Sequence, residues 1–170
     1  MVWPHSVQAG ENRGIALLKR PAQFTSVMLC ALSTGVFFGT KVSLGPSNKD
    51  FTPGTYVEVQ QASIRNVGPV MTALLPGAVA ANAALLLVLS RSERRSPAFG
   101  LTLGALCAQL ASVVLTRAIE VPINDQVMSW SPEHLPQGWQ ASRDRWDTIH
   151  TLRTASSVVG LACLVGATLA

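Results

Sequence analysis

Four stretches of this chain contain no charged residue: 24–40, 67–90, 96–116 and 154–170. Each reaches or nearly reaches the ~17–25 residues that a helix needs to cross a hydrocarbon core of about 30 Å. One such stretch could be a buried helix of a soluble domain, but four in 170 residues could not. Charged residues make up 13% of the chain where soluble domains carry roughly 25%, and the mean hydropathy is +0.32. The chain therefore reads as an all-α integral membrane protein, a four-helix bundle with spans at about 24–44, 66–90, 96–121 and 148–170. Residues 1–23 form a polar N-terminal arm and 24–170 the membrane domain. Some 23 residues, including Glu11, Arg13, Lys19 and Arg20, precede the first span. That is long for a signal-peptide n-region, so the span is expected to stay uncleaved.

Short basic flanks set the orientation. Arg13, Lys19 and Arg20 precede span one, and Arg91, Arg94 and Arg95 join spans two and three. Both segments lie on one side of a four-span protein. That side should be the cytoplasm of a multi-pass cell-membrane protein, with both termini on it. Segments 41–66 and 117–153 then form two outer connections. Orientation and anionic lipid account for the net charge of +4, so no nucleic-acid partner is expected. Cys30, Cys107 and Cys163 all fall inside predicted spans without a CxxC spacing, which supports neither a disulfide framework nor a thiolate metal site.

Against this apolar background three polar stripes stand out. Arg143, Trp146, His150 and Arg153 fall at i, i+3, i+7 and i+10 at the head of span four, within about 80° of arc on a helix. Glu58, Gln61 and Arg65 share a face before span two, and Arg117, Glu120 and Asn124 share one at the end of span three. Pro122 makes an unbroken helix to Asn124 doubtful, because it lacks a backbone donor. Polar stripes are costly against lipid and should face the bundle interior. Three of them at one level predict a polar pocket in the outer half, capped by the two outer loops. The competing explanation is local: Arg117 with Glu120 and Arg143 with Asp147 have the spacing of surface ion pairs along one helix.

The arginines flanking His150 oppose a positive charge on it, whereas Glu58 or Glu120 nearby would favour one. A metal site from His150, Glu58 and Glu120 is conceivable, but only one histidine lies on a predicted bundle helix, and no cofactor is expected. There is no GxSxG turn and no Gly-rich phosphate loop. Three function classes stay open: a membrane enzyme with a lipophilic aromatic substrate, a non-enzymatic binding or assembly subunit, and a metal- or haem-binding membrane protein. Association into a homo-oligomer also stays open. Four short spans leave little room for an alternating transport pathway.

The segments STGVFFGT (33–40), YVEVQQASIRN (56–66), VPIN (121–124) and RDRWDTIHTLRT (143–154) resemble the anthrone oxygenase-like family of small four-span membrane proteins. The resemblance covers roughly residues 24–170, and its most specific part is the PIN turn followed by RxxWxxxHxxR. It implies oxidation of an anthrone-type aromatic by O₂ without flavin or haem. The positions it carries over are Asn124, Trp146, His150 and Arg153, with Gln61 and Arg65 beside them. On this basis His150 is the candidate base and Arg153, Arg65 and Asn124 are the oxyanion donors. Trp146 is a flat wall for the substrate, and Gln61, Glu58, Arg117, Glu120 and Arg143 are further binding residues.

Overall fold

In a computed structural model, which describes residues 5–170 with side chains from Leu17 onward apart from Ser92, the chain is all-α. Its helices are α1 (His5–Ser43), α2 (Pro53–Ser92), α3 (Pro97–Leu115), α4 (Val121–Met128) and α5 (Trp139–Leu169). Local chemistry marks their starts. α2 and α3 both begin with a hydroxyl residue followed by proline. Thr52 accepts the Thr55 N–H at 3.3 Å and Ser96 the Phe99 N–H at 3.2 Å, with Pro53 and Pro97 placed where no helical donor is needed. Gly138, at φ 77°, takes the left-handed turn that launches α5. After α1 the chain turns so tightly that a Cβ on Gly45 would sit 2.5 Å from the Lys41 carbonyl oxygen.

Four segments are long and apolar enough to cross a membrane: Leu17–Ser43, Pro53–Arg91, Pro97–Met128 and Trp139–Leu169. The first four residues of the expected polar arm, 1–4, lie outside the described residues, and from His5 the backbone is helical. α2 starts at Pro53, thirteen residues before the predicted second span, so 53–65 and the span are one helix. Pro69 and Pro76 sit within it without ending it.

The third span differs most from expectation. The helix does not stop at Pro122. A single π turn, Thr116–Glu120, joins α3 to α4, and the Val121 N–H reaches back five residues to the Thr116 carbonyl. Proline cannot donate to the preceding turn and its ring crowds it, and a widened turn absorbs both problems.

α1 packs on α2 and α5, and α3 packs on α5 and α2, so the four spans close a ring. The exterior of this ring is apolar, and its interior mixes apolar with polar side chains. Leu17, Phe24, Phe38, Leu87, Val114 and Leu169 are exposed, while Ser26, Ser33, Asn82, Gln109, Ser112 and Ser157 are buried. Lipid solvates the apolar exterior, so polar side chains are driven inward to find partners. Three apolar layers separate them: Cys30, Leu85 and Leu164 near the termini, Phe37, Met71 and Leu75 in the middle, and Ile123, Val127 and Trp146 near α4.

Small residues draw α3 and α5 together. Ser156 donates to the Ala108 carbonyl at 2.8 Å, and the Ser112 and Ser157 hydroxyls are 3.2 Å apart. Such bonds contribute about 0.6 kcal/mol each in a bilayer, so close backbone packing matters as much. A Cβ at Gly160 would meet Ala108 Cβ at 3.4 Å and the Ala105 carbonyl oxygen at 3.5 Å, which is room for a methyl group and no more. Gly160→Ala should therefore leave the melting temperature in detergent unchanged or slightly higher, and Gly160→Leu should lower it by several degrees. Equal melting temperatures for the two variants would show that this seam is not tightly packed.

Candidate functional site

The charged centre of the bundle is built from α5 inward. Trp146, His150 and Arg153 lie on its buried face, and the π turn brings Glu120 opposite them. Glu120 and His150 are 1% and 0% exposed. Arg153 pairs with Glu120 and donates from Nη1 to Thr116 Oγ1 at 3.1 Å. It also reaches His150 Nδ1 from Nε at 3.2 Å and Nη2 at 2.9 Å. Its guanidinium carbon lies 4.1 Å from the centre of the Phe37 ring.

These contacts fix the state of His150. A guanidinium can only donate, so Nδ1 must accept. On the far side Nε2 is 3.1 Å from the Phe37 carbonyl oxygen, which can only accept, so Nε2 carries the proton. His150 is thus the neutral Nε2–H tautomer with both nitrogens engaged. Glu120 Oε1 is 3.5 Å from Nδ1, placing the carboxylate beside both partners. Trp146 stacks flat on the imidazole, with ring centres 4.6 Å apart and planes 8° from parallel, and its Nε1–H donates to Asn124 Oδ1 at 3.0 Å.

A cavity of about 380 Å³ lies against this cluster. Arg153, Trp146, Asn124, Thr116 and Arg117 line it on one side and Gln60 and Ser63 on the other, with a mostly apolar remainder from α2, α3 and α4. The arrangement offers guanidinium and amide groups next to an indole face in an otherwise apolar space. It is suited to a flat apolar molecule carrying a polar oxygen.

The predicted residues divide accordingly. Trp146, Asn124, Arg117 and Arg153 reach the cavity, and Glu120 and His150 stand behind Arg153 without lining it. Gln61 binds elsewhere, donating to the Val127 and Trp130 carbonyls at 2.9 Å each and tying the 129–138 connection to α2. Glu58 and Arg65 are exposed and do not join the cluster. Arg143 lies over the Trp139 ring at 5.2 Å and pairs with Asp144. Among the described residues no group of three His, Cys, Asp or Glu side chains is placed to share a metal ion, and exposed Glu58 is not a third ligand beside His150 and Glu120.

The local ion pairs suggested by spacing also give way to pairs between elements. Asp147 binds Lys41 of α1 at 2.8 Å and Glu120 binds Arg153, while Arg117 has no ion pair among the described residues. Sequence reasoning missed Gln60, Thr116 and the Phe37 carbonyl. The first had a signal: Val57, Gln60, Ile64, Val67 and Met71 form a more apolar face of the same helix than Glu58, Gln61 and Arg65. Thr116 also had one, four residues before Glu120 on the same face. A backbone carbonyl leaves none.

No curated protein and no solved structure matches the chain. A family model for anthrone oxygenase matches residues 68–163, which takes in the VPIN turn and every residue of the cluster but Phe37 and leaves out 33–40 and 56–66. With that match covering more than half of its length, the chain belongs to the anthrone oxygenase family.

Proposed function

We propose that the protein is a membrane-embedded oxygenase that converts an anthrone-type aromatic to its quinone with O₂ in the cavity beside Arg153. The family implies an oxygenase. The observation that carries the reading to this site is the largely enclosed guanidinium of Arg153 on the cavity wall, held by Glu120, His150 and Thr116. On this reading residues 24–170 are the membrane unit, both termini face the cytoplasm, and the connections 44–52 and 129–138 cap the outer end of the site.

The chemistry needs little beyond charge placement. Transfer of a proton from the benzylic CH₂ to water sends its electron pair to the carbonyl oxygen, where Arg153 and Asn124 stabilise the oxyanion. The carbanion gives one electron to O₂, and the two radicals combine into a peroxide at that carbon. The peroxide takes up the proton lost in the first step, and loss of the remaining C–H proton together with hydroxide then leaves a carbonyl, so CH₂ and O₂ become C=O and water. Trp146 supplies the flat wall.

His150, expected as the base, is enclosed and spends its Nδ1 lone pair on Arg153. We therefore assign it to positioning: it aims Arg153, and Trp146 stacks on it. His150→Asn keeps an acceptor near the Nδ1 position, whereas His150→Leu does not. Turnover of 1,8-dihydroxyanthrone by protein in nanodiscs should survive in the Asn variant within about tenfold and fall by about 10²-fold or more in the Leu variant. Equal loss in both, with an altered pH profile, would return His150 to the role of base. No quinone formation above the autoxidation rate by the wild type would reject the oxygenase reading.

One observation favours a structural role as well, because the cluster joins α1, the π turn and α5 through Phe37, Glu120 and Arg153. Glu120→Leu leaves the guanidinium unpaired and should cost about 3–5 kcal/mol of stability. The double variant Glu120→Leu/Arg153→Met should recover most of that loss in detergent denaturation. If the single variant is as stable as wild type, the pair does not hold the bundle.

A further inference from the structure

The cavity is a slot between two helices. Its lining follows one face of α2 from Gln60 to Val79, a path of about 28 Å at 1.5 Å per residue. The facing wall runs from Leu110 of α3 to Asn124 of α4. Four of its lining residues, Thr72 and Pro76 on α2 and Leu110 and Arg117 opposite, are also exposed. The slot therefore opens sideways between α2 and α3, on the lipid-facing surface that also exposes Val114.

Its two ends differ in chemistry. Toward α4 lie Gln60, Ser63, Asn124, Trp146 and the two arginines, and away from it lie Leu75, Val79, Leu110 and Val113. Glu120 balances the charge of Arg153, but Arg117 has no acidic partner among the described residues. The slot thus carries one uncompensated positive charge beside a membrane span, where an unpaired cation is expensive. The edge also offers an acceptor. Pro76 has no N–H to return to the Thr72 carbonyl, and the Thr72 hydroxyl is spent on the Gly68 carbonyl at 2.9 Å.

We propose that the slot takes an anionic aromatic amphiphile sideways from the bilayer. Its phenolate or carboxylate pairs with Arg117, a ring hydroxyl meets the Thr72 carbonyl, and its apolar end lies between Val79 and Leu110. The inference rests on the reading that this slot is the reaction site, and it makes Arg117 the residue that selects charge and Val79 the one that limits length. Anionic phospholipid shares the combination of charge and tail. The indole wall of Trp146, held flat by His150, favours a planar ring at the polar end.

The probe is 6-pentadecylsalicylate, which combines carboxylate, ring hydroxyl and tail, measured as saturable binding to protein in phosphatidylcholine nanodiscs above empty nanodiscs. Arg117→Gln should weaken binding by about tenfold or more, Arg117→Lys should restore most of it, and Val79→Trp should reduce it similarly. The wild type should bind 3-pentadecylphenol, which lacks the carboxylate, more weakly and without dependence on Arg117. Equal binding of the two probes, or displacement by phosphatidylglycerol at the potency of unlabelled probe, would overturn the proposal. Turnover of tail-less 1,8-dihydroxyanthrone on the same samples separates the two readings. Charge- and tail-dependent binding without turnover rejects the oxygenase assignment alone, and turnover without such binding rejects the amphiphile alone.

Discussion

The organisation of this protein depends on one ion pair at membrane depth, Glu120 with Arg153. Either partner alone inside a span would cost at least about 2.5–3.5 kcal/mol. Joined, they are nearly neutral to their surroundings and hold the π turn against α5. The rest of the cluster follows from that contact. Arg153 has donors to spare, and they fix the imidazole of His150 in one tautomer. His150 in turn spends its remaining N–H on a backbone carbonyl of α1. Three separate segments are thereby registered on one guanidinium, with its edge left on the cavity.

The inward placement of polar groups extends this logic through the bundle. Hydroxyl and amide side chains share the interior with leucine and valine, and further leucines and valines face outward. Hydrocarbon offers no hydrophobic gain for burying an apolar side chain, so specificity between helices comes from small residues and hydrogen bonds. The α3–α5 seam shows this in Gly160 against Ala108 and in the Ser112–Ser157 contact. The α2–α3 seam is lined instead by larger side chains that stand apart, and the cavity occupies the gap.

The four spans were legible in the sequence because uncharged length alone identifies them. Residues Trp146, His150 and Arg153 were legible as one face because α5 is regular through them. Glu120 and Asn124 were also expected at the same level. Three things were not legible. The stripe of Glu58, Gln61 and Arg65 is real as geometry, but the adjacent face through Val57, Gln60 and Ile64 is the one that turns inward. A rotation of one residue separates the two faces, and charge drew attention to the exposed one. The continuation past Pro122 was hidden because the local rule for proline describes an α-helix, and the chain uses a π turn there. Which partner each charge takes was equally out of reach, since Asp147 and Glu120 both prefer a partner on another element over one on their own.

That π turn carries a consequence for how the site can vary. One extra residue in a helical turn rotates everything beyond it by about 100° relative to what precedes it. The phase of α3, which faces α5 and lipid, is therefore set separately from the phase of α4, which presents Asn124 to Trp146. A change of one residue in this turn would re-aim the amide across the indole while the transmembrane packing stayed as it is. The chain thus has a rotational adjustment for its cavity wall, located at the joint of α3 and α4 within the third span.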